Sequence, residues 1–180
     1  RAGAMQDPVG QAGLASFTTA CLDEGAGARD SLEFADAVDM LGADLSANCS
    51  FDGTVVGLEV PTARLEPALD LMADMVLRPR FAQADIDRLR ARFLTSFLQM
   101  RMDPSSLANA AFLRAVYGEH HRYGTSSSGT AAQFAALTRQ DLLDFHHQLC
   151  HPALAWFVVT GDVEPDQAMK LLGARFGSWK

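Results

Sequence analysis

The pair Asp52-Gly53 lies between two short strand-like segments, about 44–51 and 54–60. No other feature restricts the fold as much. An Asp-Gly pair in that position is a strong hairpin signal, because it suits the tight reversal that returns a strand antiparallel to itself. Val55, Val56, Leu58 and Val60 give the second segment β-branched, strand-like character. The segments on either side of the hairpin are mostly helical in period, with no regular alternation of strand and helix. The expected fold class is therefore α+β: a mixed, largely antiparallel sheet with helices packed mainly on one face.

The helices can be placed by their apolar stripes and caps. Leu14, Phe17, Cys21 and Leu22 share one face of a helix within 10–25, ended by Gly25-Ala26-Gly27. Asp30 with Glu33 forms a capping box ahead of Phe34, Val38 and Leu41, and Gly42 is the C-cap candidate. Residues 62–78 carry Leu65, Leu69, Met72, Met75 and Val76 on one side, and Pro79 stops them. A long helix over 83–102 presents Ile86, Leu89, Phe93, Phe97 and Met100, and Asp103-Pro104 opens another at 105–117. The stretch 118–129 reads as a loop. Thr138 with Asp141 is a second capping box, opening a helix to about 149. Residues 154–160, the LAWFVVT of the run ALAWFVVT that starts at Ala153, are predicted to form a buried strand, and a last helix covers 165–174. Residues 1–10 look like the end of a strand entering a loop at Asp7-Pro8.

Charge and composition exclude several functions. The 180 residues carry a net charge of −7, which disfavours nucleic acid as a partner. The cluster Arg88, Arg90 and Arg92 is expected to be a solvated helix face. No apolar run approaches the roughly 18 residues of a membrane span. Cys21, Cys49 and Cys150 have no zinc-type spacing and are read as small, mostly buried residues. Met72, Met75, Met100 and Met102 are read as core. The run Ser126-Ser127-Ser128 lacks a GxSxG context, and Gly25-Ala26-Gly27 lacks the Lys of a phosphate-binding loop.

Several segments, in order, resemble the insulinase/pitrilysin-like zinc metallopeptidases (inverzincins), especially their bacterial, mitochondrial-processing-peptidase-like branch. They are RAGAMQDPVGQAGLA at 1–15, LDEGAGARDSLEFADAVDMLGADLSA at 22–47, PRFAQADIDRLRAR at 79–92, YGEHHRYGTSSSGT at 117–130, LTRQDLLDFHHQLCHPALAWFVVTGDV at 137–163 and FGSW at 176–179. The resemblance implies a metalloprotease-like half-unit of the N-terminal type over 1–180. Its first strands and a second half would lie outside the chain.

Active members of that family carry H-x-x-E-H on the helix after the GLA-like segment. The two His bind zinc and the Glu is the general base. The matching positions here are Ser16, Thr19 and Ala20, and the distal carboxylate ligand should fall near Thr95 and Ser96. None of these is a His or a carboxylate. No catalytic residue and no resident metal are therefore expected in this chain, and zinc is expected in a catalytic partner. Remaining metal candidates are His146, His147 and His151, with Cys150 beside them. His120 and His121 are expected to pack within their loop, and the helix-end histidines to face solvent or cap.

The resemblance also implies an edge strand that binds extended peptides, here Asp44, Leu45, Ser46, Ala47 and Asn48. The function so implied is that of an inactive half-unit of a zinc peptidase assembly. It would shape the peptide chamber of an H-x-x-E-H homologue as a heterodimer, alongside its own second half-unit. Two alternatives stay open: an active zinc peptidase with a rearranged site, and a structural core-type subunit of a larger complex. Relatives in bacteria are often periplasmic, so that compartment is favoured.

Overall fold

The computed structural model describes residues 2–180, the Leu149 side chain excepted. Its one sheet among the described residues is the expected hairpin. Strand β1 (Asp44–Cys49) pairs antiparallel with β2 (Thr54–Glu59), with Asp44 opposite Glu59 and Cys49 opposite Thr54. The connection is a four-residue loop, closed by the Ser50 amide donating to the Gly53 carbonyl at 2.8 Å.

Among the described residues, eight α-helices accompany the hairpin. They are α1 (Leu14–Ala20), α2 (Ser31–Asp39), α3 (Leu65–Leu77), α4 (Gln83–Met100), α5 (Pro104–Tyr117), α6 (Ala131–Ala136), α7 (Arg139–Leu149) and α8 (Pro165–Phe176). Both expected capping boxes form. The Asp30 side chain accepts from the Leu32 and Glu33 amides, and the Thr138 hydroxyl accepts from the Asp141 amide. Helix α6 was not expected. Its start is fixed by a third capping box, in which Thr130 accepts from the Gln133 amide and the Gln133 side chain reaches back to Thr130.

The main core gathers around α1. Leu14, Phe17, Cys21 and Leu22 are all buried, joined by Phe34, Met75, Phe81, Ile86, Leu89, Phe134 and Leu142. Phe17, Phe93, Phe97 and Phe134 form an aromatic cluster, with centroids 4.5 Å apart for Phe17–Phe134 and 4.7 Å for Phe93–Phe134. A smaller cluster of Ala73, Val76 and Phe176 joins α3 to α8.

Four expectations need correction. Residues 154–160 are not a buried strand. A 3₁₀ turn occupies Pro152–Leu154, residues 155–160 have no regular element, and Trp156, Val158 and Val159 are exposed. An apolar run becomes a strand only when a neighbour pairs with it, and none does so among the described residues. Met100 and Met102 are exposed rather than core, because the end of α4 extends beyond the packed helices; Met75 is fully buried as expected. Arg90 is not merely solvated. Its guanidinium donates to the Phe134 and Ala135 carbonyls at 3.0 and 3.2 Å and lies 5.2 Å from the Phe17 ring centre. It thereby satisfies carbonyls at the end of α6. Arg88 is an exposed ion-pair residue, facing Glu24 and Asp85. Residues 4–6 form a 3₁₀ turn rather than a strand end.

Candidate functional site

Ser16, Thr19 and Ala20, the positions that the resemblance matches to the zinc motif, lie on α1, and the buried carboxylate of Asp7 fixes where that helix begins. Asp7 Oδ2 accepts from the Gly13 amide and Oδ1 from the Ala15 amide, both at 2.8 Å. A carboxylate at a helix start satisfies free amides and opposes the positive end of the dipole. Gly13 has φ 100°, and a Cβ there would lie 2.4 Å from the Ser128 carbonyl oxygen. Gly129 faces Ala12 equally closely and has φ 70°. Two glycines thus let the 126–130 loop lie directly against the N-terminus of α1.

Two of the three motif positions on α1 are tied to the surrounding protein by their hydroxyls. Ser16 Oγ donates to the Ser127 carbonyl at 3.2 Å. Thr19 is buried, and its hydroxyl lies 3.2 Å from that of Thr54 on β2. Thr54 donates its one hydroxyl proton to the Ala2 carbonyl at 2.5 Å. Thr19 is therefore the donor to Thr54, and the Thr19–Thr54–Ala2 chain uses up both hydroxyl protons. Thr18 is buried as well, and its hydroxyl has no partner among the described residues. Ala20 offers only a methyl group.

Helix α4 does not complete a site. Thr95 and Ser96 are exposed, and their hydroxyls donate back to the Ala91 and Arg92 carbonyls of their own helix. The side chains that α4 presents toward α1 and α6 are Phe93 and Phe97, with Phe93 and Phe17 centroids 6.0 Å apart. The structure does not bring Thr95 or Ser96 together with Ser16, Thr19 and Ala20. Aliphatic hydroxyls and phenylalanines are not the imidazole, thiolate and carboxylate donors of a tight zinc site. The residues present do not fit a zinc ion, and no chemical step can be derived through one here.

The histidine candidates do not converge either. His146 is half-buried, not solvent-facing as expected: its Nε2 lies 2.8 Å from the Val76 carbonyl and its ring packs edge-on against Phe81. His147 is exposed on α7. His151 lies beyond the helix and accepts the Ala153 amide on Nδ1. Burial pushes the Cys150 thiol up to about 11, so it does not supply a ready thiolate. Among the described residues, no group of three or more His, Cys, Asp or Glu side chains could hold a metal ion. His121 packs in its loop as expected, in a three-ring cluster with Tyr117 and Tyr123, whereas His120 is almost fully exposed.

The proposed peptide edge, Asp44 to Asn48, is β1. Its backbone pairs with β2 on one side. Leu45 and Ala47 turn toward the core, while Asp44 and Asn48 are exposed.

Sequence reasoning missed Asp7 and Arg122 as organisers of the site. Arg122 donates to Asp7 at 2.8 Å and lies over the Phe51 ring at 5.9 Å. Asp7-Pro8 had looked like a loop and nothing more.

Residues 1–127 match the family described as Insulinase (Peptidase family M16), and residues 136–180 match the Peptidase M16 inactive domain. An uncharacterized zinc protease of Mycobacterium leprae is 31% identical over 176 residues, covering 98% of this chain and 39% of the relative. A homologue from Mycobacterium tuberculosis described in the same words is 30% identical over 178 residues, covering 98% of this chain and 40% of that protein. The chain thus spans about 40% of the length of the curated relatives it matches. Among solved structures, a peptidase M16 inactive domain from Pseudomonas fluorescens has a TM-score of 0.73 at 30% identity, over 81% of this chain and 35% of that one. A protease from Helicobacter pylori has a TM-score of 0.90 at 22% identity, over 99% and 43%. The periplasmic protease PqqL from Escherichia coli has a TM-score of 0.87 at 18% identity, over 98% and 20%. With an ordered family match along more than half its length, this chain belongs to the insulinase (M16) family of peptidases.

Proposed function

We propose that this chain is a non-catalytic half-unit of an M16 peptidase assembly, which shapes the peptide-binding chamber beside a catalytic H-x-x-E-H partner. One observation carries the reading. The motif positions on α1 hold Ser16, Thr19 and Ala20, the two hydroxyls are tied to Ser127 and Thr54, and the α4 side chain packed on α1 is Phe93, against Phe17. The match of residues 136–180 to the M16 inactive domain supports it. Zinc would reside in the partner. The hairpin strand Asp44–Cys49 would form part of the chamber wall, where an extended peptide could add by main-chain hydrogen bonds.

The test is zinc content and peptide hydrolysis, measured on this chain alone and with an H-x-x-E-H homologue encoded beside it. The expected outcome is no stoichiometric zinc and no hydrolysis alone, with activity appearing in the pair. Stoichiometric zinc with hydrolysis from this chain alone overturns the reading. An absent catalytic homologue, with the chain purifying in a larger complex, favours the structural-subunit reading instead. The periplasm is the proposed compartment, on the likeness to a periplasmic protease, and cell fractionation checks it.

A further inference from the structure

The loop that joins β1 to β2 holds Asp52 and Gly53 in a web of hydrogen bonds. The Ser50 amide and hydroxyl both donate to the Gly53 carbonyl, at 2.8 and 2.9 Å, and the Gly53 amide donates back to Ser50 Oγ at 3.2 Å. The Ala4 amide donates to the Ser50 carbonyl at 3.0 Å and the Met5 amide to that of Phe51 at 2.8 Å. Gly3 lies so close that a Cβ on it would be 2.4 Å from the Gly53 nitrogen. Tyr123 packs its ring edge-on against Phe51, with centroids 4.9 Å apart, and its hydroxyl donates to Asp52 Oδ1 at 2.5 Å. Asp52 itself is exposed.

An exposed Asp followed by Gly carries a reaction of its own. The Gly nitrogen can attack the Asp Cγ, because no Cβ shields its approach. A C–N bond forms, and one carboxyl oxygen leaves as water with the carboxyl and amide protons. The product is a five-membered succinimide. Water then adds to either of its two carbonyls. Addition at Cγ restores aspartate. Addition at the main-chain carbonyl breaks the original peptide bond and leaves the chain running through the side chain, as isoaspartate. One water is released and one is taken up, so no other reactant is needed.

Ring closure needs two changes that this loop resists. The Asp52 side chain has to turn until Cγ meets the Gly53 nitrogen, and that nitrogen has to give up its proton. Ser50 Oγ holds the amide proton from within the loop. Tyr123 holds the carboxylate from 71 residues away. Its neighbour Arg122 is fastened in turn to the buried carboxylate of Asp7. The tie on Asp52 is therefore anchored in the folded structure and not in the loop itself.

We propose that Asp52-Gly53 is a site of isoaspartate formation, and that the hydrogen bond from Tyr123 to Asp52 limits its rate. Tyr123 is a positioning residue for this reaction, with no part in the bonds made or broken. The inference does not depend on whether the half-unit is catalytic. Conversion adds one methylene to the main chain of the loop and moves the carboxylate onto Cα. The Ser50–Gly53 closure and the tie to Tyr123 are then both lost.

Timed incubation at neutral pH and physiological temperature tests it, on the wild-type chain, on Tyr123→Phe and on Leu171→Ala. Peptide mapping with electron-transfer fragmentation reads isoaspartate at position 52. Tyr123→Phe keeps the ring against Phe51 and removes only the hydroxyl. Leu171→Ala opens a cavity at a buried position on α8 and alters no hydrogen bond of the loop, so it reports what general destabilisation does. Isoaspartate should accumulate in the wild type and form about 5-fold faster in Tyr123→Phe, as expected when one hydrogen bond is lost from the starting state. Leu171→Ala should stay near the wild-type rate. An equal or slower rate in Tyr123→Phe overturns the proposal. Equal acceleration in Leu171→Ala also overturns it, because global unfolding would then set the rate. Absence of isoaspartate from both the wild type and Tyr123→Phe overturns it as well.

Discussion

Arg122 Nη2 lies 2.8 Å from Asp7 Oδ2, and the Asp7 side chain is wholly buried while that of Arg122 is 18% exposed. The pair joins two loops 115 residues apart in sequence. The same carboxylate holds the Gly13 and Ala15 amides at the start of α1. Removing it strands a buried cation and frees two helix amides at once. Asp7→Ala should therefore cost about 3–5 kcal/mol, in the range for breaking one side of a buried pair. Asp7→Asn keeps part of the hydrogen bonding and should cost less. Urea unfolding of the two variants checks both the size and the order.

Much of the fold was legible because its signals are local. The Asp30/Glu33 and Thr138/Asp141 boxes sit within four residues and needed no tertiary knowledge. The hairpin was equally readable from Asp52-Gly53. What failed depends on distant partners. An apolar run at 154–160 specifies a strand only if another backbone lies beside it, and the sequence of the run does not contain that neighbour. Asp7 gave no signal because its partners, Gly13, Ala15 and Arg122, are scattered. Arg90 looked like one of three surface arginines, and only the position of Phe134 and Ala135 distinguishes it. The resemblance to the zinc metallopeptidases pointed to Ser16, Thr19 and Ala20 as the motif positions, whereas nothing in the sequence indicated the hydroxyl chain from Thr19 through Thr54 to Ala2.

The three cysteines should alkylate in a fixed order. Cys21 is buried, and burial raises its thiol far above the ordinary value, with Glu24 and Asp23 adding to the effect. Burial also holds Cys150 at about 11. Cys49 sits on the partly exposed strand β1. Thiolate, not thiol, is the reacting species. With iodoacetamide at pH 8, Cys49 should be modified first, Cys150 slowly, and Cys21 only after unfolding. Peptide mass spectrometry over a time course reads the order directly.

His146 should make stability depend on pH. Burial lowers its pKa below the ordinary 6.5, a shift reinforced by His147 and opposed by the Val76 carbonyl. The unfolded chain therefore binds a proton at this residue more readily than the folded one. The neutral ring's contribution is complete above about pH 6.5 and declines as pH falls toward the lower folded value. The denaturation midpoint should drop between pH 7.5 and 5.5, and His146→Gln should flatten that part of the profile. His147→Gln, at an exposed position, should leave most of the slope intact. Urea midpoints at four or five pH values distinguish the two variants.

Rebuilding the motif on α1 should not rebuild a zinc site. Ser16→His, Thr19→Glu and Ala20→His together restore two imidazoles one helical turn apart and the general base between them. A tight catalytic site needs a third protein donor, and α4 turns Phe93 and Phe97 toward the cluster instead. The Thr19 side chain is also buried against Thr54, so a glutamate there loses hydration with no cation to offset it. The triple variant should lose about 2–4 kcal/mol of stability, as buried-charge substitutions do. After dialysis it should retain sub-stoichiometric zinc by elemental analysis. Adding Thr95→Glu or Ser96→Glu should leave that zinc content unchanged, since both positions face solvent. Stoichiometric zinc in either four-residue variant would mean that α4 can turn that face toward α1, contrary to the packing of Phe93 against Phe17 and Phe134.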